Sequence, residues 1–253
     1  MFTTYQQCSL RYANVNNLIS LFSILPYLSL LFIQALTTLH LRENYIGAKG
    51  AKYLADALRT NETLVMSNLE NNGLVDDGAL QLANVLRNNT TLTTLNLRGN
   101  YIGDHGAKYL ADSLRNNTTL TTLDLRKNQI GDEGAKHVTL SVLNLSWNRI
   151  QNKGAQHLAD ALKYNTTLTT LNLRGNYIGD HGAKYLADSL RNNTTLTSLD
   201  LRKNQIGDEG AKHVADALRN NTLSVLNLAW NRIQNKGAQH LADALKYNTV
   251  TLL

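Results

Sequence analysis

Six of the seven histidines recur at fixed places along the chain and could, by residue type, bind a metal or transfer protons. They are His105, His137, His157, His181, His213 and His240. In two places the histidine directly follows an aspartate, as in Asp104-His105, a pairing suited to acid–base or metal chemistry. Glu133 stands where His105 stands in the preceding segment, and such exchange is typical of a solvated helix start. We therefore predict no metal site, no cofactor and no enzymatic activity.

The composition excludes several other functional classes. One cysteine, Cys8, rules out a disulfide scaffold and any zinc site built on cysteines. Neither a glycine-rich phosphate loop before a helix nor a marked nucleophile–base pair occurs. The formal net charge of +6 favours acidic partners. The basic residues are spread over predicted helices as well as strands. This scattered distribution makes nucleic acid a poor candidate ligand.

The chain is built from internal repeats, most of them 28 residues apart. Each repeat follows the pattern L-x-x-L-x-L-x-x-N, as Leu92, Leu95, Leu97 and Asn100 do in the third repeat. The repeats begin at Leu36, Leu64, Leu92, Leu120, Leu140, Leu168, Leu196 and Leu223. Repetition at this period predicts a solenoid, in which each unit buries its apolar face against its neighbours.

Each repeat combines a short strand with a helix. The leucines at Leu95 and Leu97 are two residues apart, so a strand would place both on one face. An apolar stripe with helical spacing follows, formed by Ala107, Leu110, Ala111 and Leu114. Asp104 precedes this stripe and is a candidate N-cap for the helix. Since one such unit cannot bury enough surface to stand alone, the units must stack.

These motifs resemble the leucine-rich repeats of the ribonuclease-inhibitor-like subfamily, over about Leu36 to Asn248. The resemblance implies an α/β horseshoe, with a parallel β-sheet on the concave face and helices on the convex face. It also implies a non-enzymatic scaffold that binds a protein partner on the concave face. The vertebrate inhibitor is rich in cysteine and this chain has one, so ribonuclease inhibition does not carry over. A GTPase-activating regulator of the same repeat class and a fragment of a larger, innate-sensor-like protein are the alternatives.

The repeat domain is expected to span residues 36–253, with about eight repeats and two irregularities. In the second repeat, Ser67 replaces the leucine of the strand. In the fourth, seven residues are missing between His137 and Leu143, by comparison with the duplicated segment that begins at His213. We expect a flatter array and a thinner convex wall there. The chain stops where a ninth strand would start, so a C-terminal cap is expected to be missing.

Residues 1–35 do not repeat and form a separate, apolar N-terminal segment. Residues 18–36 carry no charge and include Pro26. Three interpretations stay open: an N-terminal cap on the first strand, a membrane anchor or signal peptide, and sequence that does not belong to the native protein. We expect a cytoplasmic protein, or a membrane-anchored or secreted one if residues 18–36 act as an anchor or signal.

Two sets of asparagines have structural interpretations. One closes the repeat motif and is expected to satisfy buried backbone groups: Asn44, Asn72, Asn100, Asn128, Asn148, Asn176, Asn204 and Asn231. The other lies in glycosylation-type motifs at Asn89, Asn117, Asn165 and Asn193. Since these motifs recur with the turn that ends each helix, we interpret them as part of that turn.

The strand residues that face away from the core are the candidate binding residues. In the resembled family this side is the concave face. Arginines recur at the seventh position of the motif and tryptophans at the eighth, both over-represented in interface hot spots. The predicted partner-binding residues are Arg98, Arg126, Trp147, Arg174, Arg202 and Trp230. They predict a protein partner with acidic and apolar surface and no small-molecule substrate; a membrane would be reached only through residues 18–36.

Overall fold

The computed structural model describes residues 36–115, 117–136, 142–218 and 221–247. The non-repeat segment 1–35, with its three interpretations, lies outside the described residues. The described chain contains eight strands of three residues: β1 Thr38–His40, β2 Met66–Asn68, β3 Thr94–Asn96, β4 Thr122–Asp124, β5 Val142–Asn144, β6 Thr170–Asn172, β7 Ser198–Asp200 and β8 Val225–Asn227. All are parallel, and their order in the single sheet is their order in the chain.

Each strand is followed by a helix. The helices are α1 Gly47–Leu58, α2 Val75–Leu86, α3 Asp104–Leu114, α4 Asp132–Ala135, α5 Asn152–Leu162, α6 Asp180–Leu190, α7 Asp208–Leu218 and α8 Asn235–Tyr247. Neighbouring strands pair without a shift, so that Leu95 lies opposite Leu123. The predicted α/β leucine-rich solenoid, with a parallel sheet on one face and helices on the other, is confirmed.

A continuous apolar core fills the space between the sheet and the helices. Leu95 and Leu97 of the third repeat are almost completely buried, as is Leu110 of α3. Each fully buried leucine contributes roughly 1.5–3 kcal/mol to folding. Because the core runs from repeat to repeat without a break, a large part of each repeat's stability comes from its two neighbours.

Both irregular repeats keep their place in the sheet. Ser67 is buried in β2 where other strands have leucine, and it still pairs with Leu95 of β3. In the fourth repeat, α4 has four residues against eleven in α3. The expected thinning of the convex wall is therefore seen in the length of α4. The local flattening of the array stays a prediction.

The recurring asparagines form a ladder that joins the repeats. The side chain of Asn100 is fully buried, and its Nδ2 donates to the carbonyl oxygens of Leu69 and Leu97 at 2.9 and 3.0 Å. Its Oδ1 accepts the backbone N–H groups of Asn72 and Leu74 at 3.0 and 3.3 Å. From the second repeat onward, each of these side chains satisfies backbone groups of its own repeat and of the preceding one. The structural interpretation of these asparagines is confirmed.

Asp104 does not cap its own helix, which corrects its expected role. The N-cap position of α3 is Gly103, which has no side chain of its own, and its N–H donates to Asp76 Oδ1 of the preceding repeat at 2.7 Å. Asp104 is the first residue of α3, and its Oδ1 accepts the N–H of Gly131 at 2.6 Å, in the next repeat. A carboxylate here satisfies an orphan N–H at the following helix start. The sequence pattern could not distinguish capping within a repeat from capping between repeats.

We expect Asp180→Ala to lower the free energy of unfolding by about 1–2 kcal/mol, the usual cost of losing a cap. The Oδ1 of Asp180 accepts the N–H groups of Gly207 and Gly210 at 2.6 and 3.0 Å, and alanine would leave both without this acceptor. Urea unfolding followed by circular dichroism measures the loss.

Asp180→Asn is the matched control for this substitution. Asn152 already makes the equivalent bonds to Gly179 and Gly182 at 2.8 and 2.9 Å, so an amide oxygen can replace the carboxylate. We expect Asp180→Asn to cost less than about 0.5 kcal/mol, since only the charge near the helix terminus is lost. Equal destabilisation by both substitutions would contradict a hydrogen-bonding role.

The asparagines of the glycosylation-type motifs are committed to the turns that end the helices. Asn193 is buried, and its Nδ2 donates to the carbonyl oxygens of Leu162 and Asn165 at 2.9 and 3.1 Å. Its Oδ1 accepts the N–H of Leu196 at 2.8 Å. A sugar on this nitrogen replaces one of its two hydrogens and would remove at least one of these bonds, so the contacts support the interpretation as a structural turn.

Within the described residues, no helix is long and apolar enough to cross a membrane. The same part of the chain holds no group of three or more His, Cys, Asp and Glu side chains arranged to bind a metal. Residues 18–35 of the candidate anchor fall outside it.

Candidate partner-binding face

All six predicted binding residues lie two or three residues after the end of a strand. In β3 the central Leu95 is buried, while Thr94 and Asn96 on either side of it are half-buried. The same alternation occurs in β4, β6 and β7. The third, fifth and seventh positions of the motif therefore face away from the helices, as the period of two requires. We call this surface the strand face.

The eighth position of every repeat has a left-handed backbone. The φ angles lie between 54° and 68° at Glu43, Asn71, Gly99, Lys127, Trp147, Gly175, Lys203 and Trp230. A residue with a Cβ pays roughly 1–2 kcal/mol for this conformation, so glycine is the least costly choice. Trp147 and Trp230 are the two bulkiest residues in the row, and folding does not require them there.

Two arginines of the predicted row are held by aspartates of the strands they follow. The Nε of Arg126 donates to Asp124 at 2.7 Å, and the Nη2 of Arg202 lies 2.6 Å from Asp200. In each case the hydrogen bond to the aspartate is the main cause that raises the pKa of the guanidinium. Both arginines stay charged, but each charge already has a partner within its own repeat.

A third arginine pairs with a carboxylate of the neighbouring repeat. The Nη1 of Arg98 lies 3.2 Å from the Oε1 of Glu70, which is buried. Arg42 approaches the same oxygen to 3.8 Å. Within the described residues this oxygen accepts no hydrogen bond in good geometry, so these contacts are ionic and not directed. Glu70 thereby neutralises part of the positive charge at the N-terminal end of the strand face.

Arg174 differs from the other three arginines because it lies against an aromatic ring. Its guanidinium carbon is 5.7 Å from the centre of the Trp147 ring. Among the described residues it forms no ion pair, and its buried Nε has no hydrogen-bond partner. The Nζ of Lys203 lies 5.2 Å from the centre of the Trp147 ring and 5.2 Å from that of Trp230. We call Trp147, Arg174, Lys203 and Trp230 the tryptophan patch.

Gly175 allows this arrangement. A Cβ on Gly175 would approach carbon atoms of the Trp147 ring to 2.8 Å, so the ring rests on the glycine backbone. Trp147 is 42% exposed, and Trp230, which has no described repeat after it, is 78% exposed. The ring of Trp147 can reach Lys203, two repeats away, because the repeat between them has no side chain at this position.

The structure therefore divides the six predicted residues into two groups. Arg98, Arg126 and Arg202 are each held by a carboxylate, whereas Trp147, Arg174 and Trp230 belong to the tryptophan patch. Sequence reasoning missed Lys203 and Gly175 as members or supports of that patch. A signal was available, because the eighth positions read Trp, Gly, Lys and Trp in four consecutive repeats.

Comparisons with known proteins agree with this architecture. The family model described as Leucine Rich repeat matches residues 34–55, 88–111, 116–138, 136–159, 164–187, 192–215 and 219–242, more than half of the chain. The chain belongs to the leucine-rich repeat family. The one repeat without a match of its own is the second, in which Ser67 replaces leucine.

Among solved structures, this leucine-rich repeat protein is similar to one described as leiomodin-1 actin-binding site 2. The identity is 21%, the match covers 68% of this chain and 88% of that chain, and the TM-score is 0.45. No curated protein matches the chain. Proteins built from such repeats use extended concave surfaces for binding, and this chain is a protein-interaction module of that class.

Proposed function

We propose that this leucine-rich repeat protein is a non-enzymatic scaffold that binds a protein partner through its strand face. The partner presents acidic and apolar surface, because the face offers arginines beside exposed tryptophans. The observation that carries the proposal is the exposure of Trp147 and Trp230, which add nothing to the leucine core. Membership of the ribonuclease-inhibitor-like subfamily and a cytoplasmic location are part of the same proposal, the latter supported by the single cysteine.

The paired arginines also suit this role. Arg126 and Arg202 are fixed in position by their aspartates, so little side-chain entropy is lost when a partner docks. Threonine and asparagine side chains between them, such as Thr122 and Asn172, can donate and accept hydrogen bonds. The strand face thus combines fixed charges, adaptable polar groups and two large apolar rings.

The test compares two variants with matched composition. The first carries alanine at Arg98, Arg126, Trp147, Arg174, Arg202 and Trp230. The second, the helix-face variant, carries alanine in place of four cations and two aromatics on or directly after α3 and α6: Lys108, Tyr109, Arg115, Lys184, Tyr185 and Arg191. A partner identified with the unchanged protein by affinity capture and mass spectrometry is purified, and its affinity for each variant is measured by calorimetry.

We expect the strand-face variant to lose at least about 100-fold in affinity, because hot-spot residues carry most of the binding energy. The helix-face variant should stay within about threefold, since rim and remote charges change affinity little. A partner that binds the strand-face variant unchanged, or that is lost only from the helix-face variant, contradicts the proposal.

A further inference from the structure

The duplicated halves of the chain provide an internal comparison for the two cations of the tryptophan patch, Arg174 and Lys203. Residues 90–138 and 166–214 differ at one position, Thr122 against Ser198. Arg98 and Arg174 therefore have the same local sequence, and so do Lys127 and Lys203. Any difference in their surroundings must come from the repeats stacked against them.

Only one of the two copied arginines has a carboxylate beside it. Arg98 contacts Glu70 of the preceding repeat, but Ser146 occupies the place of Glu70 before Arg174. The second copy thus lacks a carboxylate like the one that neutralises Arg98 in the first copy. The buried Nε of Arg174 is an unpartnered donor within the described chain. Leaving such a donor unsatisfied destabilises the protein, and a bound acceptor removes this cost once the guanidinium turns toward it.

The lysines of the two copies also differ. Lys203 lies over the rings of both Trp147 and Trp230, whereas Lys127 lies over neither among the described contacts. Neither lysine forms an ion pair within the described residues. Arg149 and Arg232, two residues after the two tryptophans, are exposed, and neither forms an ion pair within the described residues. Two cations without an ion-pair partner in the described chain, Arg174 and Lys203, therefore lie over the exposed indole rings.

We propose that the tryptophan patch binds an acidic, extended segment of a protein partner, with carboxylates on Arg174 and Lys203 and apolar side chains against the edges of the tryptophan rings. This inference rests on the proposed function and assigns the main contact to repeats five to eight. Three strand spacings separate the backbones of Trp147 and Trp230, about 14 Å. An extended segment of about four residues covers that distance.

The geometry favours carboxylates over a nucleic acid. Base stacking on tryptophan needs a free ring face. The Trp147 ring rests on Gly175, and two cations lie over it, so its edge is the part left for contact.

The two tryptophans are the only ones in the chain, so emission excited at wavelengths that tyrosine does not absorb reports on this patch alone. The probe is a synthetic peptide of glutamates with regularly spaced leucines. Its counterpart with glutamine in place of glutamate and a single-stranded oligouridylate are the comparison ligands. We expect saturable changes in tryptophan emission with the glutamate peptide, weakening with added salt. The glutamine peptide and the oligouridylate should bind at least about tenfold more weakly.

Lys203→Met and Lys127→Met form the matched pair of variants. They remove the same charge from the same local sequence in the two copies. We expect Lys203→Met to weaken the glutamate peptide about tenfold and Lys127→Met less than about twofold. Thermal unfolding followed by circular dichroism shows whether both variants stay folded.

Quenching provides a measurement that needs no ligand. Iodide is attracted by nearby cations, whereas acrylamide is neutral. We expect the ratio of iodide to acrylamide quenching to fall in Lys203→Met and to stay unchanged in Lys127→Met. An unchanged ratio in Lys203→Met would overturn the electropositive patch.

Three binding results would overturn the proposal: no binding of the glutamate peptide, equal binding of its glutamine counterpart, or equal losses in the two lysine variants. Preferential binding of the oligouridylate would overturn it in favour of nucleic acid. The proposed function of the whole strand face is tested by a different result. If a protein partner still depends on Arg98, Arg126 and Arg202 while the peptide ignores the patch, only the present inference is lost.

Discussion

Asn100→Ala is expected to lower the free energy of unfolding by about 3–4 kcal/mol. The substitution removes the donor to Leu69 and Leu97 and the acceptor for two backbone N–H groups of the preceding repeat. Each buried backbone group left unsatisfied costs roughly 1–3 kcal/mol, and local relaxation recovers part of that. Because the site joins the second and third repeats, the loss also weakens their interface.

Urea unfolding followed by circular dichroism tests this, with Asn96→Ala as the control. Asn96 lies in the same repeat and is half-buried, and its Oδ1 accepts one N–H, from Arg98 at 3.0 Å. We expect Asn96→Ala to cost less than about 1 kcal/mol. If the two substitutions cost the same, the asparagine ladder is not a main source of cohesion between repeats.

The ladder shows how far a repeat pattern predicts structure. The recurrence of Asn100 after two leucines predicted a buried amide, because a polar residue fixed at the end of a strand must satisfy nearby backbone groups. The partners of that amide could not be predicted. The pattern places a residue within its repeat, but it does not show which atoms of the next repeat come close. Asp104 was assigned to its own helix for this reason, while its carboxylate reaches Gly131.

The candidate binding face was predicted in position but not in charge. The period of two placed Arg126 on the strand face, and the same rule places Asp124 beside it, two residues earlier. Their pairing could have been predicted from the sequence. The contacts of Lys203 could not, because they depend on how far the Trp147 ring extends across Gly175.

The duplication shows that the surroundings of a residue in a solenoid depend on the adjacent repeats as much as on its own sequence. Arg98 and Arg174 have the same neighbours along the chain, yet one lies at a carboxylate and the other at an indole ring. A copied repeat can therefore gain a different surface when it is stacked on a different neighbour. This explains how nearly identical halves come to carry one tryptophan patch, which forms where Arg174 and Lys203 of the second copy lie against Trp147 of the repeat that precedes this copy.

Gly210→Ala is expected to lower the free energy of unfolding by about 2 kcal/mol, although alanine is the better helix former. Gly210 lies near the start of α7, close to α6 of the preceding repeat. An added Cβ would come within 2.7 Å of the Ile206 Cγ2 and 3.0 Å of the Asp180 Cα. The Asp180 Cα is backbone and cannot move without shifting α6. The helices must therefore separate, which strains the bond from Gly210 to Asp180.

Gly207→Ala is the matched control, since it lies in the same turn and faces the same aspartate. A Cβ there would approach the Asp180 Oδ2 to 3.3 Å, which a small side-chain movement relieves. We expect a cost below about 1 kcal/mol, measured by the same urea unfolding. If Gly210→Ala instead stabilised the protein by about 1 kcal/mol, the gain expected from helix propensity alone, the helices would not be packed as closely as this glycine requires.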